Sequence, residues 1–498
     1  MHILTKSKII SGLQCQKKLW FDVNEPIKQD LHVFYIGNRF GDFARKHYGQ
    51  GLDLTNNHDV DSVLHQTSVA MNDPNVKVIY EAAFQLDETL IRSDVLLRND
   101  SRWEMIEVKS STSVKPEHIK DAAIQASVIE SQGIDLSRVK IAYINNDFIY
   151  KGNGGYDNFL VEKDVTEAVR DIQKNVALWI KVLKPLGIMG SSTPIVAMGE
   201  QCTEPYICAY HSRCKDLLPK SEGVPISILP NVGKKLAIIW EAKGVHDLRD
   251  IPTEALPKPI HRTIQNAHKT NTTWIDPKLM AQINAYPWPR FFMDFETVQQ
   301  GVPLIPETKP YDALPFQWSV HRWDYQEQEV KLEDGEGYLE FLNNEMARNF
   351  LVTLFKSVGS EGPIFAHNAS FERSKLLWLS NRSDCLDLKP HVKLLVERIV
   401  DTLELTRNGF YSPVMNGSFS IKDIVKAIPT NVDYNSLDGL SGGDQAQVAW
   451  FKCTDPDTPQ VNKNKWVSRL KKYCAQDTLA MYHLVRFLGN SDHVSLSS

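Results

Sequence analysis

Arg290-Phe-Phe-Met-Asp294-Phe-Glu296-Thr297 is the stretch on which the reading of this chain turns. It is an apolar run carrying two acids at i and i+2, so in a β-strand both carboxylates leave the same face. A buried strand keeps two acids on one face only with a partner, because each is costly to desolvate alone. A divalent cation is the economical partner. Downstream, Pro363-Ile-Phe-Ala-His367-Asn368 reads as a second strand, entering a helix at Ser370-Phe371-Glu372. Arg398-Ile-Val-Asp401-Thr402-Leu403 reads as a third, with Asp401 capping or orienting an element rather than binding metal. Residues 466–488 read as a long helix that places Tyr473 and Asp477 one turn apart on one face.

This strand–helix alternation predicts an α/β domain over residues 286–490, followed by a flexible polar tail, 491–498. Before it, Pro225, Pro230, Pro252, Pro257 and Pro259 break residues 219–285 into short helices. Residues 1–218 read as an N-terminal helix, a β-meander, further helices and a cysteine cluster. The expected fold class is therefore α/β and multidomain, in keeping with 498 residues. A composition 42% hydrophobic and 23% charged excludes wholesale disorder and fibrous architectures. A formal net charge of -5 excludes a globally basic coat but leaves room for a basic groove. No apolar run is long enough for a membrane span, and no apolar stretch follows the first lysines. A cytoplasmic protein without a signal peptide or membrane contact is expected.

In the first region three strand-like runs, 76–84, 89–97 and 103–108, are separated by turn residues. The second contains Ser93-Asp94 and the third leads into Glu107-Val108-Lys109. Glu107 and Lys109 share a strand face, and Asp94 meets them across the hairpin. Two carboxylates and a lysine can hold a divalent metal and polarise water for phosphodiester attack; ordinary cross-strand ion pairs are the other reading. Thr5-Lys6-Ser7 caps a first helix that leads to Cys15. Pro116 opens a helix with Ile119, Ala123, Ala126 and Ile129 at helical spacing, and Gln125 lies on it. Seven cysteines in a chain of this length argue against a disulfide framework. Cys202, Cys208 and Cys214 stand at C-x5-C-x5-C, which suggests a metal or an iron–sulfur cluster. Structural zinc and unligated buried thiols remain the alternatives.

The first region resembles the PD-(D/E)xK nucleases of the RecB/AddB type, especially CRISPR-associated members with an iron–sulfur cluster. The resemblance spans about residues 1–215. It implies a restriction-endonuclease-like domain with Asp94, Glu107, Lys109 and Gln125 as its catalytic core, Asp94 and Glu107 binding metal. It also implies that Cys15, Cys202, Cys208 and Cys214 ligate a 4Fe-4S cluster. Ile129 stands where that family has Tyr, and His47 lies out of register with its early histidine. Leu229-Pro230-Asn-Val-Gly233-Lys-Lys-Leu-Ala237 resembles a helix–hairpin–helix. That likeness implies DNA-backbone contacts at Gly233, Lys234 and Lys235; a plain helical linker is the competing reading. The last region resembles the DnaQ-like 3′–5′ exonucleases of the RNase H-like fold, in the variant with Tyr at the third motif. On that likeness Asp294, Glu296, Glu372 and Asp477 hold two metal ions, one activating water and one stabilising the leaving oxygen, with the catalytic Tyr473 orienting water or phosphate. Glu372 stands where that family usually has Asp. The whole chain resembles an uncharacterised bacterial family of unknown function that fuses these two kinds of domain.

The resemblances imply a nuclease using Mg2+ or Mn2+ on DNA, single strands or ends first, in DNA repair or defence against foreign DNA. A helicase or another repair or defence protein is the expected partner. RNA processing, and a nucleic-acid-binding scaffold with degenerate sites, are the alternatives.

Overall fold

In the computed structural model the described residues are 4–27, 31–218, 223–333, 337–434 and 442–490. The predicted flexible tail, 491–498, lies outside them. They form two compact α/β units. The first comprises the described residues of Met1–Lys220 together with Gln300–Tyr311, and the second those of Ser221–Gln299 and Asp312–Ser498. Residues 223–285 thus belong to the same unit as the C-terminal strands and helices. Among the described residues no helix is long and apolar enough to cross a membrane.

The first unit is built on seven strands: β1 (Leu4–Thr5), β2 (Leu52–Asp53), β3 (Val78–Leu86), β4 (Thr89–Asn99), β5 (Arg102–Lys109), β6 (Leu136–Ile144) and β7 (Leu160–Asp164). Their order is β2-β3-β4-β5-β6-β7, with β1 parallel to β4. The meander β3-β4-β5 is antiparallel, and β6 joins β5 in parallel after the crossover helix Pro116–Glu130. Pro116 suits the first turn, where a missing N–H costs nothing. Small residues Ala122, Ala123 and Ala126 let this helix pack closely on the sheet, sealing a core with Ile79, Leu96, Met105 and Ile141. Thr5 caps the helix Lys6–Gln14, its hydroxyl accepting from the Lys8 N–H at 3.4 Å.

In the second unit β8 (Trp274–Ile275), β9 (Arg290–Gln299), β10 (Ala313–Trp323), β11 (Lys331–Leu332), β12 (Tyr338–Leu339), β13 (Ile364–Ala366), β14 (Ile399–Asp401) and β15 (Phe410–Tyr411) form two sheets. The larger runs β11-β10-β9-β13-β14, with β12 also on β10; β8 and β15 pair separately. β9 is antiparallel to β10 and parallel to β13. The third predicted strand is shorter than expected. It ends at Asp401, whose side chain caps the helix Thr402–Gly409 by accepting from the Leu403 N–H at 2.9 Å. The long terminal helix spans Gln460–Gly489. It lies across β9 and β10, and polar side chains of β10 fix where along its length. Gln317 donates to the Leu470 carbonyl at 2.9 Å, while Ser319 and His321 meet the Thr478 hydroxyl at 3.0 and 2.7 Å.

Candidate functional site

That registration decides the chemistry of the second unit. Asp294 pairs with Ser319 and Glu296 with Gln317, so the two acids share the sheet face that the helix covers. Fixed at Leu470 and Thr478, the helix delivers Tyr473 and Asp477 to the same place. One carboxylate oxygen each from Asp294, Glu296 and Asp477 lies within 4.8 Å of the others. Glu372, on the helix Ser370–Ser380, faces a shared cavity of about 330 Å³ with them, alongside His367, Asn368, Gln447 and Tyr473. Asn368 adopts φ 65°, a left-handed conformation tolerated by Asn. Its N–H and that of Ala369 each donate to Asp401 at 3.1 Å, which anchors the turn carrying Glu372.

Burial, then the charges of Asp477, Glu296 and Glu372, holds the Asp294 carboxyl well above the usual carboxylate range. Burial and Asp477 push Glu296 up to about 8, with Lys422 acting the other way. Glu372 is pushed up to about 8, chiefly by burial. Its Oε2 is buried and has no hydrogen-bond partner among the described residues. Burial also raises Asp477, although Tyr434 donates to its Oδ1 at 2.5 Å. Lys422 donates to the Tyr473 hydroxyl at 3.2 Å. Four gathered carboxylates, one with an orphaned buried oxygen, fit a hard divalent cation that takes oxygen ligands.

In the first unit the strand alternation also brings its residues together. Glu107, 1% exposed, accepts from Lys109 at 2.6 Å and Lys6 at 2.8 Å through Oε1, and from Gln125 at 2.6 Å through Oε2. Asp121 closes the network by pairing with Lys109 and accepting from Gln125 at 3.1 Å. Asp94 instead accepts the Val108 N–H at 2.7 Å and lines a cavity of about 470 Å³ with Glu81, Asp53, Asn38 and Arg45. Burial and Asp94 oppose the ionisation of Glu107, but Lys109 and Lys6 outweigh them and lower it. Burial would depress Lys6, yet Asp121, Glu107 and Asp94 raise it well above its ordinary value. Ile129 is buried in the core. His47 is exposed and stacks on Phe43, while its helix gives Asn38, Gly41 and Arg45 to the Asp94 cavity.

The four cysteines of the predicted set are near neighbours in this unit. Cys15 sits in extended backbone between the helices Lys6–Gln14 and Gln16–Asn24. Gln14 ties that junction to the cysteine loop, donating to the carbonyls of Gln201, Glu204 and Tyr206 at 3.2, 3.3 and 2.9 Å. The Cys208 N–H donates to the Cys202 carbonyl at 2.9 Å, and Phe21 stacks on Tyr210 beside them. Burial pushes the Cys208 and Cys214 thiols up, and the neighbouring Cys15 adds to both. No three of these sulfurs lie within 4.8 Å of one another. A zinc tetrahedron with bonds of about 2.3 Å would hold them roughly 3.8 Å apart.

Gly233 begins the helix Gly233–Glu241, and its N–H is taken by the Leu229 carbonyl at 3.0 Å. A Cβ there would fall 2.5 Å from the Ser227 carbonyl oxygen, so the close approach requires glycine. Lys234 and Lys235 are exposed.

Residues 291–420 match the family model described as a domain of unknown function, DUF2779. That span contains Asp294, Glu296 and Glu372 and stops short of Tyr473 and Asp477. The uncharacterized protein MG366 of Mycoplasma genitalium is 23% identical over 215 residues, which is 40% of this chain and 32% of that protein. The match therefore spans about a third of the relative's length. Both similarities support an uncharacterised domain family. Lys6, Asp121, Lys422 and Tyr434 are the site residues that sequence reasoning missed. Asp121 had a signal, one turn before Gln125 on the same helix; the other three had none.

Proposed function

We propose that this chain is a metal-dependent nuclease that hydrolyses phosphodiester bonds of DNA, with its principal site in the second unit. The observation carrying this reading is the convergence of Asp294, Glu296 and Asp477 within 4.8 Å, facing a cavity that Glu372 also lines. These four residues hold Mg2+ or Mn2+. Such cations supply positive charge for a developing oxyanion and make a water more acidic. Tyr473, steadied by Lys422, orients the attacking water or the scissile phosphate, and Tyr434 fixes the rotamer of Asp477. The order of antiparallel and parallel strands around β9 supports the likeness to DnaQ-like exonucleases, and with it trimming from a 3′ end. In the first unit Asp94 and Glu107 form a second metal site with Lys109, and the four cysteines carry a 4Fe-4S cluster. The C-x5-C-x5-C run joined by the distant Cys15, unlike the short paired spacings of ordinary zinc sites, supports a cluster over a single zinc ion. DNA repair or defence against foreign DNA is the setting this chemistry suits.

The test is cleavage of end-labelled single-stranded DNA, duplex DNA and RNA with Mg2+ or Mn2+, by wild type, Asp294→Asn and Lys109→Ala. Metal-dependent DNA trimming lost in Asp294→Asn supports the reading, and its persistence in that variant refutes it. A second reading has one observation in its favour. Both oxygens of Glu107 are already engaged by Lys6, Lys109 and Gln125. On that reading the first unit is a nucleic-acid-binding scaffold, and Lys109→Ala leaves every cleavage activity intact.

A further inference from the structure

We propose that the first half of the helix Gln460–Gly489 is the platform along which a single DNA strand lies as its end enters the acidic cavity. The inference rests on the nuclease reading and names the form of substrate that site takes. From Gln460 to Gln476 the helix carries Lys463, Lys465, Arg469, Lys471 and Lys472 and no acid, within a chain of formal net charge -5. Its first acid is Asp477, in the site itself. With 3.6 residues per turn, Trp466, Arg469, Tyr473 and Asp477 form one row about 16 Å long. Trp466 is half-buried, and the Arg469 guanidinium lies 5.1 Å from its ring centroid. Lys465 and Lys472 are exposed and lie together along one side of the row. On the side of the helix turned away from the row, Lys471 and Lys472 line a groove of about 410 Å³ with Asn464 and Ser468.

Cations beside an aromatic face are the chemistry of single-strand binding without sequence preference: phosphates pair with the charges and a base stacks on the ring. A duplex keeps its bases stacked inside and has none to offer Trp466. The row also solves a problem of approach. Four carboxylates repel an incoming phosphodiester, and cations one to three turns away draw the strand along the helix instead.

The experiment is fluorescence anisotropy of labelled oligothymidylate with the full chain in EDTA, repeated across salt concentrations. Each phosphate contact to a single strand contributes a log–log salt slope of about -0.7. The triple variant Lys465→Ala, Arg469→Ala, Lys472→Ala should therefore flatten the slope by about 2 and weaken binding about 100-fold at roughly 0.1 M salt. Trp466→Ala should weaken it about tenfold, and Trp466→Phe should retain most of the affinity. The proposal is overturned if the triple variant melts like wild type and keeps both affinity and slope. It is also overturned if wild type prefers a blunt duplex or oligouridylate to oligothymidylate. Should the variant fail to fold, a wild-type slope shallower than about -1 overturns it alone. Binding of the expected kind by a chain that never cleaves DNA refutes the nuclease reading and upholds the platform.

Discussion

Replacing Asp294 by Asn should make the metal-free protein more stable at pH 8, not less. In the folded chain burial and the charge of Asp477 push Glu296 up to about 8, against an ordinary value of 4.5. Between those values the folded state holds a proton that the unfolded state has released. Stability therefore falls as pH rises from about 4.5 to about 8 and is level outside that window. For this one group the loss is about 5 kcal/mol, from roughly 3.5 pH units at about 1.36 kcal/mol each. Two unit charges 4.8 Å apart, the outer limit for the oxygens of the triad, repel by about 3.5 kcal/mol at an effective dielectric constant of about 20. Asp294 is the acid that burial and the charges of Asp477, Glu296 and Glu372 hold well above its ordinary value, so Asn at 294 removes a group whose ionisation the folded state opposes. A gain of about 3 kcal/mol at pH 8 is expected, or roughly 6–12 °C in Tm for a unit of this size. Mn2+ should reverse the order, because wild type gains binding energy that the variant cannot. Scanning calorimetry at pH 5 and pH 8, with EDTA or Mn2+, checks both halves. If Asp294→Asn melts at or below wild type in EDTA at pH 8, or rises with Mn2+ as wild type does, the acids are not the mutually repelling cation site described above.

Glu107→Ala should cost the first unit about 3–5 kcal/mol in urea unfolding, because Lys6 and Lys109 lose their shared acceptor; the Asp294-dependent cleavage should survive in protein that remains folded. Anaerobically purified wild type should be brown and Cys208→Ser colourless, and a colourless wild type with stoichiometric zinc would contradict the cluster. Glu372→Asp, read by DNA trimming, should keep activity or raise it, since the shorter acid is the usual residue in the exonucleases this unit resembles; full activity in Glu372→Ala would remove Glu372 from the ligand set. Gly233→Ala should lower Tm by the equivalent of about 1–3 kcal/mol, because its Cβ would fall 2.5 Å from the Ser227 carbonyl.

What could be read from the sequence followed from local periodicity. Asp294 and Glu296 were legible because strand residues two apart share a face, and Tyr473 and Asp477 because helix residues four apart do. Glu107 and Lys109 obeyed the same rule. Tyr434 and Lys422 were not legible: both lie between the motifs, Lys422 in the short helix Ile421–Ile424, and only the tertiary fold brings them to Asp477 and Tyr473. Lys6 was read as part of a helix cap, which it is, while its ammonium reaches a strand about a hundred residues away. Glu372 was placed correctly on its helix, but the anchoring of its turn by Asp401 needs β13 and β14 side by side. Nothing in the composition of residues 300–311 marked them as part of the first unit.

That last segment has a consequence for how the polypeptide is made. β9 and β10 are antiparallel neighbours in one unit, yet the stretch joining them belongs to the other. Tyr311 donates its hydroxyl to the Ser110 carbonyl, and Glu307 and Thr308 pair with Tyr150. On the ribosome the first unit stays incomplete until the opening strand of the second sheet has already emerged, so the usual sequence of one finished domain followed by the next does not apply. The strand bearing Asp294 and Glu296 therefore leaves the ribosome before both its β10 partner and the segment that completes the first unit.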